Sequence, residues 1–372
     1  IGSGLVGSEM CIRDRIYKDH PAVGNIGIFD TDTGRMEEFA RTHGIQRQYH
    51  SFDEILRDKE VDAVHLVTPI PLHAEQTVAV LDSGKHCACT VPMATSLEDL
   101  ERITAAVRRS GKKYMMMETT LYTRQFFYAR QMLENGEFGK IQFLRGSHYQ
   151  DMANWPSYWM GLPPMWYGTH AIAPMRVMAG SRIQKVHCFG SGTMAEWLTR
   201  QYQNPYPVET AIFSFENGLK GEATRTLFET ARVYQEGMFI YGSEASFEWG
   251  FADDDDPVIT TAQRAEDGRR GGTTSVEARV MPNFYEMLPR EIQKHTVGGN
   301  YDPLNPQDSL ISGAAGGHHG SHPHLVNEFL KSILEDRKPA VDEVLGGNIT
   351  AAGICAHISA MKDGAEVVVP EF

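Results

Sequence analysis

Three glycines near the start of the chain have the spacing of a dinucleotide-binding turn. Gly2, Gly4 and Gly7 follow the pattern G-x-G-x-x-G, which allows a tight turn, a close backbone approach to a pyrophosphate and close packing of the next helix. Asp30 ends a predicted strand about 20 residues later, where an acid binds ribose hydroxyls. An acid there would repel the 2′-phosphate of NADP, so the pattern favours NAD. The alternative is a glycine-rich turn that holds no cofactor.

A second segment has residues suited to line a cofactor channel. Thr68 and Pro69 come directly after a predicted buried strand, and doubly wound sheets bind their ligands at the carboxyl ends of strands. His73 follows four residues after Pro69. We expect His73 either to contact the cofactor or simply to begin the next helix.

The elements that position these residues alternate between strand and helix over the first 120 residues. Predicted strands cover 25–30, 61–67, 86–90 and 113–117, and predicted helices cover 33–42 and 72–82. Such alternation predicts a parallel, doubly wound sheet. After about residue 123 longer strand-like runs dominate, over 141–149, 183–189, 208–215, 218–226 and 246–249.

The sequence therefore predicts an α/β protein of two domains. Residues 1–122 would form a Rossmann domain that binds NAD(P). Residues 123–372 would form an α/β domain with an open, mainly antiparallel sheet for substrate binding and oligomerisation, and its C-terminal helix would pack back on the Rossmann domain. We expect the substrate site to lie between the two domains.

The composition excludes several classes of partner. The chain has 372 residues, 41% of them hydrophobic, and a formal net charge of -13. A negative protein is repelled by nucleic acid and by anionic membranes, and no run approaches the roughly 18 apolar residues that a membrane span needs. The five scattered cysteines do not suggest a disulfide framework, so we expect a reducing cytoplasm.

The N-terminal segment bears on the expected cytoplasmic location. The run from Ser8 to Arg15 resembles a translated sequencing adapter of metagenomic assemblies. Only Ile1 precedes Gly2, so most of the strand before the glycine turn is expected to be missing. The natural start, and an export signal with it, is expected to be lost, which leaves a periplasmic location open.

Two groups of aromatic and imidazole side chains are candidates for substrate contact. Four histidines lie in a short segment, namely His318, His319, His322 and His324. They invite a zinc or nickel interpretation, but no carboxylate has ligand spacing and Pro323 stiffens the segment, so we predict no metal. The aromatic group comprises Trp155, Tyr158, Trp159, Trp166 and Tyr167. These rings are expected either to stack on a sugar or to form an ordinary core or dimer contact.

The order of these motifs resembles the Gfo/Idh/MocA superfamily of NAD(P)-dependent sugar and inositol oxidoreductases, along nearly the whole chain. Ordinary members have Glu-Lys-Pro where this chain has Thr90-Val91-Pro92, and their lysine helps to deprotonate the hydroxyl being oxidised. They also have Asp-x-Gly-x-His, of which this chain keeps His170 but has Trp166 at the Asp position and Ala173 at a later acid position. The standard catalytic set is therefore incomplete.

These departures resemble one branch of the superfamily, the NAD-dependent glycosidases typified by α-N-acetylgalactosaminidase. The resemblance rests on four motifs in the same order: Val91-Pro92, Met115-Met116-Met117-Glu118, Tyr167-Gly168-Thr169-His170 with Pro174, and Gly317-His318-His319-Gly320. The branch has a catalytic tyrosine where this chain has His148. The identity of the sugar therefore does not carry over.

The resemblance implies a redox elimination in which NAD is recycled. The sugar is oxidised at C3, a base removes the acidified C2 proton, the aglycone leaves C1, water adds, and the hydride returns. Histidine suits both proton transfers because its pKa lies near neutral pH. We expect His170, with Tyr167, to act at the C3 hydroxyl and His148 at the C2 proton.

The same resemblance implies the remaining site residues. Further cofactor contacts would come from Thr90, Pro92 and Glu118. Substrate contacts would come from Tyr122, Asp151, Trp155, Trp166, His318 and His319.

Two other functions stay open at this point. One is a simple NAD(P)-dependent sugar or polyol dehydrogenase that uses His170 alone. The other is a non-catalytic, cofactor-binding sensor, which the missing lysine suggests. In each case the partner would be a small sugar or glycoside, and the resemblance implies a homodimer or homotetramer.

Overall fold

The computed structural model describes residues 2–6, 11–153, 155–252, 255–263, 271–296 and 316–372, with the backbone alone for 3–6, 11–14 and 316–317. The chain divides into two compact units. The first unit contains residues 1–122, 283–347 and 372, and the second contains 123–282 and 348–371. Each unit is built around one sheet.

The sheet of the first unit is parallel throughout, and its described strands follow the order β3-β2-β1-β4-β5-β6. These strands are β1 (Gly2–Val6), β2 (Asn25–Phe29), β3 (Arg47–Gln48), β4 (Ala63–Leu66), β5 (His86–Cys89) and β6 (Tyr114–Met116). The helices between them are α1 (Cys11–Asp19), α2 (Thr33–His43), α3 (Phe52–Arg57), α4 (His73–Asp82) and α5 (Leu97–Ser110). This order is the doubly wound arrangement, and its direction reverses between β1 and β4.

The placement of the first glycines differs from the prediction. Gly2 and Gly4 lie within β1 and not in a turn after it; both pair with β2, and Gly4 also pairs with β4. A Cβ on Gly2 would lie 1.8 Å from the carbonyl oxygen of Glu60, so glycine here serves strand packing. Gly7 lies outside the described residues, as does the rest of the β1–α1 connection.

The sheet of the second unit is mixed and mostly antiparallel. Its described strands follow the order β14-β13-β12-β11-β7-β10-β9-β8-β15, and the pair β10–β7 is parallel. These strands are β7 (Ile141–Tyr149), β8 (Ile183–Ser191), β9 (Val208–Phe215), β10 (Lys220–Thr226), β11 (Gln235–Gly242), β12 (Ala245–Glu248), β13 (Val258–Gln263), β14 (Thr273–Ala278) and β15 (Val367–Val368). Together the two sheets confirm the predicted fold class.

The helices after β6 complete the two units. They are α6 (Arg124–Glu134), α7 (Thr169–Met178), α8 (Glu196–Thr199), α9 (Arg290–Gln293), α10 (Gly316–His319), α11 (Ser321–Leu334) and α12 (Glu343–Ala360). In the first unit, Ile16 and Tyr17 of α1 pack with Ile292 of α9 and Val326 and Leu330 of α11 in one buried cluster. Among the described residues, no helix has both the length and the hydropathy needed to cross a bilayer.

One face of the mixed sheet is covered by α7. The residues of β9 alternate in burial, with Glu209, Ala211 and Phe213 buried, as expected for a strand with one covered face. On β7, Gly146 lies against the backbone of α7, because a Cβ there would be 2.0 Å from the carbonyl oxygen of Ala171. Glycine at this position therefore lets α7 approach the sheet closely.

Candidate active site

Four polar residues form a row across four neighbouring strands of the second unit, which we call the buried row: Glu209 on β9, Arg225 on β10, His148 on β7 and Glu236 on β11. The register pairs Glu209 with Arg225, Arg225 with His148, and His148 with Glu236. Paired residues project from the same face of a sheet. Each of the four is at most 1% exposed.

Helix α7 brings His170 onto one end of the buried row. The rings of His148 and His170 are 4.9 Å apart between centroids, and His170 is 2% exposed. Tyr167 lies in the 3-10 turn just before α7, with its ring 5.4 Å from that of His170 and 6.2 Å from that of His148. The three residues predicted to be catalytic are therefore brought together in the structure, although they come from separate elements.

A carboxylate that sequence reasoning missed adjoins these histidines. The Oε1 atom of Glu236 is 3.9 Å from Nε2 of His170. The hydroxyl of Tyr234 donates a hydrogen bond to the same oxygen at 2.6 Å, and the Tyr234 ring is 5.4 Å from that of His148. Glu236 lies two and four residues before the apolar Met238 and Ile240, which are buried on the same strand. An acid at that spacing from apolar residues is a sequence signal that could have found it.

Arg225 supplies a buried positive charge beside His148. Its guanidinium donates to the carbonyl oxygens of Tyr167 (3.1 Å), His148 (3.2 Å) and Thr226 (2.6 Å), and to Oε1 of Gln150 (3.1 Å). Burial lowers the pKa of Arg225 to about 10, and the nearby Tyr167, Tyr234 and Glu236 act against that shift. The guanidinium therefore fixes the backbone of two predicted catalytic residues.

The other end of the buried row has a different character. Glu209 accepts a hydrogen bond from the backbone N–H of Met165 at 2.7 Å, and its Oε1 lies 2.6 Å from Nδ1 of His357. The ring of Trp166 packs against His357, at 5.8 Å, and against Tyr202, at 5.9 Å. Trp166, predicted to bind substrate, thus lies with the Glu209 end and not with His170.

A chain of aromatic rings leads from the surface to Tyr167. Trp155 is 45% exposed and its ring is 5.8 Å from that of Trp159. Trp159 in turn lies 4.7 Å from Tyr167, edge to face. Asp151 is exposed, and its Oδ1 accepts from the N–H of Ala153. Of the predicted substrate residues in this unit, Trp155 is linked to the histidines through packed rings.

In the first unit His73 connects two loops at the carboxyl edge of the sheet. It is fully buried, with Nδ1 2.8 Å from the carbonyl oxygen of Pro92 and Nε2 2.9 Å from that of Thr68. Burial lowers the pKa of His73. The enclosed imidazole therefore joins the loops after β4 and β5. Its contact with a cofactor stays a prediction. His73 also begins α4, the alternative that the sequence left open.

The residues at that edge fit a dinucleotide. Thr68 and Pro69 follow β4 at the point where the strand order reverses, and Thr90 and Pro92 follow β5. Asp30 follows β2, and its Oδ1 accepts from the N–H of Asp32 at 2.8 Å, which leaves a carboxylate at the position that binds ribose.

Glu118 has a local role in the same unit. It is fully buried and accepts hydrogen bonds from the N–H and the hydroxyl of Thr120. Its carboxylate therefore holds the turn that follows β6, and its contact with the cofactor stays a prediction.

The remaining predicted contacts lie in the first unit. Tyr122 is 8% exposed, His319 is 4% exposed, and His318 is half-buried with its ring 5.5 Å from that of His322. His318 and His319 both have positive φ, 52° and 53°, a conformation that is uncommon outside glycine and concentrates at functional sites. Within the described residues, no three histidine, cysteine or acidic side chains are grouped closely enough to hold a metal ion.

Two family models match the chain. Residues 1–118 match the model described as the oxidoreductase family with an NAD-binding Rossmann fold, and residues 126–248 match the Gfo/Idh/MocA C-terminal domain. The first unit therefore carries an NAD-binding Rossmann domain, as predicted.

Similar curated proteins include both dehydrogenases and glycosidases. A 1-carboxy-3-chloro-3,4-dihydroxycyclohexa-1,5-diene dehydrogenase of Comamonas testosteroni is 24% identical over 232 residues, which cover 60% of this chain and 54% of the relative. A glycosyl hydrolase family 109 protein of Shewanella pealeana is 24% identical over 256 residues, covering 59% and 56%. The chain thus spans about half the length of the curated relatives it matches.

Among solved structures, a levoglucosan dehydrogenase in complex with NADH and levoglucosan superposes with a TM-score of 0.78 at 21% identity and covers 100% of both chains. This likeness concerns the fold. With both family models matched in order over most of its length, the chain belongs to the Gfo/Idh/MocA oxidoreductase family.

Proposed function

We propose that the protein is an NAD-dependent oxidoreductase of carbohydrates that cleaves a glycosidic bond by transient oxidation at C3. The observation that carries the proposal is the pair of buried imidazoles, His148 and His170, 4.9 Å apart. Oxidation at C3 releases the hydroxyl proton, and elimination removes the proton from the adjacent C2. Two neighbouring bases suit two proton transfers at neighbouring carbons.

The loop after β5 supports this proposed function. Val91 is 7% exposed and has no titratable group, so the loop that carries a lysine in ordinary family members has no base at that position here. The proton of the substrate hydroxyl must therefore go to another group. His170 has Tyr167 and the carboxylate of Glu236 within reach to support it.

The proton steps balance as follows. His170 accepts the proton of the C3 hydroxyl while the C3 hydrogen leaves as hydride, which gives a ketone. His148 accepts the C2 proton, the C1–O bond breaks, and the aglycone leaves with the bonding pair. Water then adds at C1, C2 regains a proton, and the ketone is reduced again, so that no net oxidation occurs.

The cofactor would be held by residues of the first unit. Asp30 would bind the ribose hydroxyls, and Thr68, Pro69, Thr90 and Pro92 would line its path along the carboxyl edge of the sheet. When bound, NAD supplies a reversible hydride acceptor. His73 acts indirectly, because it holds the loops of Thr68 and Pro92 in place.

A simple sugar or polyol dehydrogenase is the second candidate. The supported pair of His170 and Glu236 is sufficient for oxidation of a single hydroxyl. Dehydrogenases, among them the Comamonas relative and an inositol 2-dehydrogenase of Salmonella, are as similar to this chain as the glycosidase relative.

One experiment separates the candidates. The purified protein is incubated with NAD and a panel of aryl glycosides and free sugars in D2O, and aglycone, NADH and deuterium at C2 are measured. Aglycone release with deuterium at C2 and no net NADH is the result we expect. Stoichiometric NADH from a free sugar without C2 exchange would establish the dehydrogenase instead, and bound NAD without any turnover would leave a sensor.

A variant tests the division of labour between the two histidines. His148→Ala should abolish C2 exchange and aglycone release yet leave formation of NADH from the glycoside, because oxidation at C3 precedes loss of the C2 proton. Loss of both steps together, or retention of both, would contradict the assignment of His148.

A further inference from the structure

We propose that Glu236 is a positioning residue for His170, whose buried carboxylate stabilises the imidazolium that forms when His170 accepts the substrate proton. This inference rests on the proposed function for the identity of that proton. Its physical content, a coupling between Glu236 and His170, does not depend on which sugar is the substrate.

Glu236 lies at full depth beside the two histidines. It is fully buried on β11, directly opposite His148 in the register, and Oε1 lies 3.9 Å from Nε2 of His170. A carboxylate removed from water is costly unless a positive charge or hydrogen bonds compensate it. Here the hydroxyl of Tyr234 and the buried guanidinium of Arg225 compensate the carboxylate. A protonated imidazole 3.9 Å away adds a further favourable interaction with the same carboxylate.

Tyr234 orients this carboxylate. Its hydroxyl donates to Oε1 of Glu236 at 2.6 Å, which favours the ionised carboxylate and fixes its orientation. Because the oxygen held by Tyr234 is the one that faces His170, the tyrosine sets the distance between carboxylate and imidazole.

Other titratable and charged groups near His170 also influence its protonation. In the described part of the chain, titratable groups adjoin His170 from three elements: His148 on β7, Tyr167 in the preceding turn and Glu236 on β11. Arg225 on β10 and Tyr234 just before β11 contact these neighbours. Arg225 disfavours a second positive charge, since it is a buried cation next to His148. Glu236 is the acid in this group, and its charge opposes that of Arg225.

The test compares two isosteric variants. Glu236→Gln keeps the volume and removes the charge, and Glu209→Gln does the same at the far end of the buried row. The titration of His170 is followed by NMR on protein with labelled histidine rings, with its signal assigned by its loss in His170→Gln. This readout needs neither substrate nor cofactor.

Glu236→Gln should lower the titration midpoint of His170 by about 1 pH unit or more, since an opposite charge within reach favours the protonated ring. Glu209→Gln should leave that midpoint unchanged. Glu236→Asp, which retains the charge but withdraws it by one methylene, should give an intermediate midpoint, and it replaces Glu236→Gln should that variant not fold. A His170 midpoint that is the same in the wild type and in the Glu236 variants would overturn the inference.

Activity provides the second readout. Glu236→Gln should lower kcat about 10- to 100-fold with KM changed less than about threefold, and the acid limb of the pH profile should move to lower pH. If the wild type turns over no sugar, the proposed function fails while the NMR result still decides the role of Glu236. If the wild type is active and Glu236→Gln keeps its kcat, the function stands and this inference is wrong.

Discussion

The two ends of the buried row each pair a glutamate with a histidine, yet the pairs differ in geometry. Glu209 and His357 are 2.6 Å apart, and the second oxygen of Glu209 accepts from the backbone of Met165. Glu236 and His170 are 3.9 Å apart, with a second imidazole and a tyrosine beside them. The row spans only about 14 Å, three strand spacings.

We interpret the Glu209–His357 pair as structural and the Glu236–His170 pair as the one proposed to act on the substrate. Both oxygens of Glu209 make short contacts, one with His357 of α12 and one with the backbone of Met165 in the turn before α7. Glu209 therefore fixes α12 and that turn to β9. The looser pair leaves room for the proton of His170 to move while the carboxylate remains near. The two glutamates are equally buried, so burial of the carboxylate does not distinguish the pairs. The Glu–His distance and the presence of a second histidine do.

The largest expected effect is on kcat, and it should distinguish His170 from His357. His170→Ala should lower kcat at least 100-fold, within the about 10²–10⁴ range of general acid–base groups, with little change in melting temperature. His357→Ala should lower the melting temperature and leave kcat within a fewfold of wild type. Steady-state kinetics and thermal unfolding of both variants make the comparison, and equal losses of kcat would break it.

The two glutamates give an intermediate effect on stability. Glu209→Gln should lower the free energy of unfolding by about 2–4 kcal/mol, because it leaves a tightly bonded buried partner without its charge. Glu236→Gln should cost less than half of that, since its contact with His170 is longer. Chemical denaturation followed by tryptophan fluorescence measures both, and a greater loss for Glu236→Gln would reverse the assigned roles.

The smallest expected effect is on the pH dependence of stability, and it comes from His324, a buried histidine of the first unit. Burial lowers the pKa of His324 to about 4, from a model-peptide value near 6.5. The unfolded chain therefore binds the proton first as pH falls, so stability is complete above about pH 6.5 and is lost progressively as pH falls toward 4. Protonation linked to His324 should lower the free energy of unfolding by about 1–2 kcal/mol between pH 6.5 and 5. In His324→Gln, the free energy of unfolding should fall less steeply over this pH range than in the wild type. An unchanged slope would show that His324 is not held neutral.

Most elements that carry the family motifs could be predicted from sequence. The strand over 141–149 and the helix from Arg124 to Glu134 are found with the bounds predicted. In the helix, the buried residues Phe126, Ala129 and Met132 recur with helical spacing. Helix α7 was not predicted, since it contains Pro174. Strand β11 was not predicted either, because Gln235, Glu236 and Gly237 are poor strand formers.

Those two missed elements explain the missed site residues. β11 delivers Glu236, and α7 delivers His170 to the sheet at the point where Gly146 permits a close approach. Sequence motifs indicate His148 and His170 separately. No motif indicates that Glu236 lies opposite His148, 88 positions along the chain, because strand register is a long-range property.

The amino-acid sequence by itself determined the family, the parallel doubly wound first sheet, the absence of a lysine after β5 and the two histidines as candidates for proton transfer. Only the tertiary structure decided that His73 joins the loops after β4 and β5, and that Glu209 and Glu236 lie at opposite ends of the buried row. It also decided that Trp166 packs at the Glu209 end of that row. The physical reason is that local periodicity sets secondary structure, whereas the pairing of distant strands and the docking of α7 set which charges share a buried face.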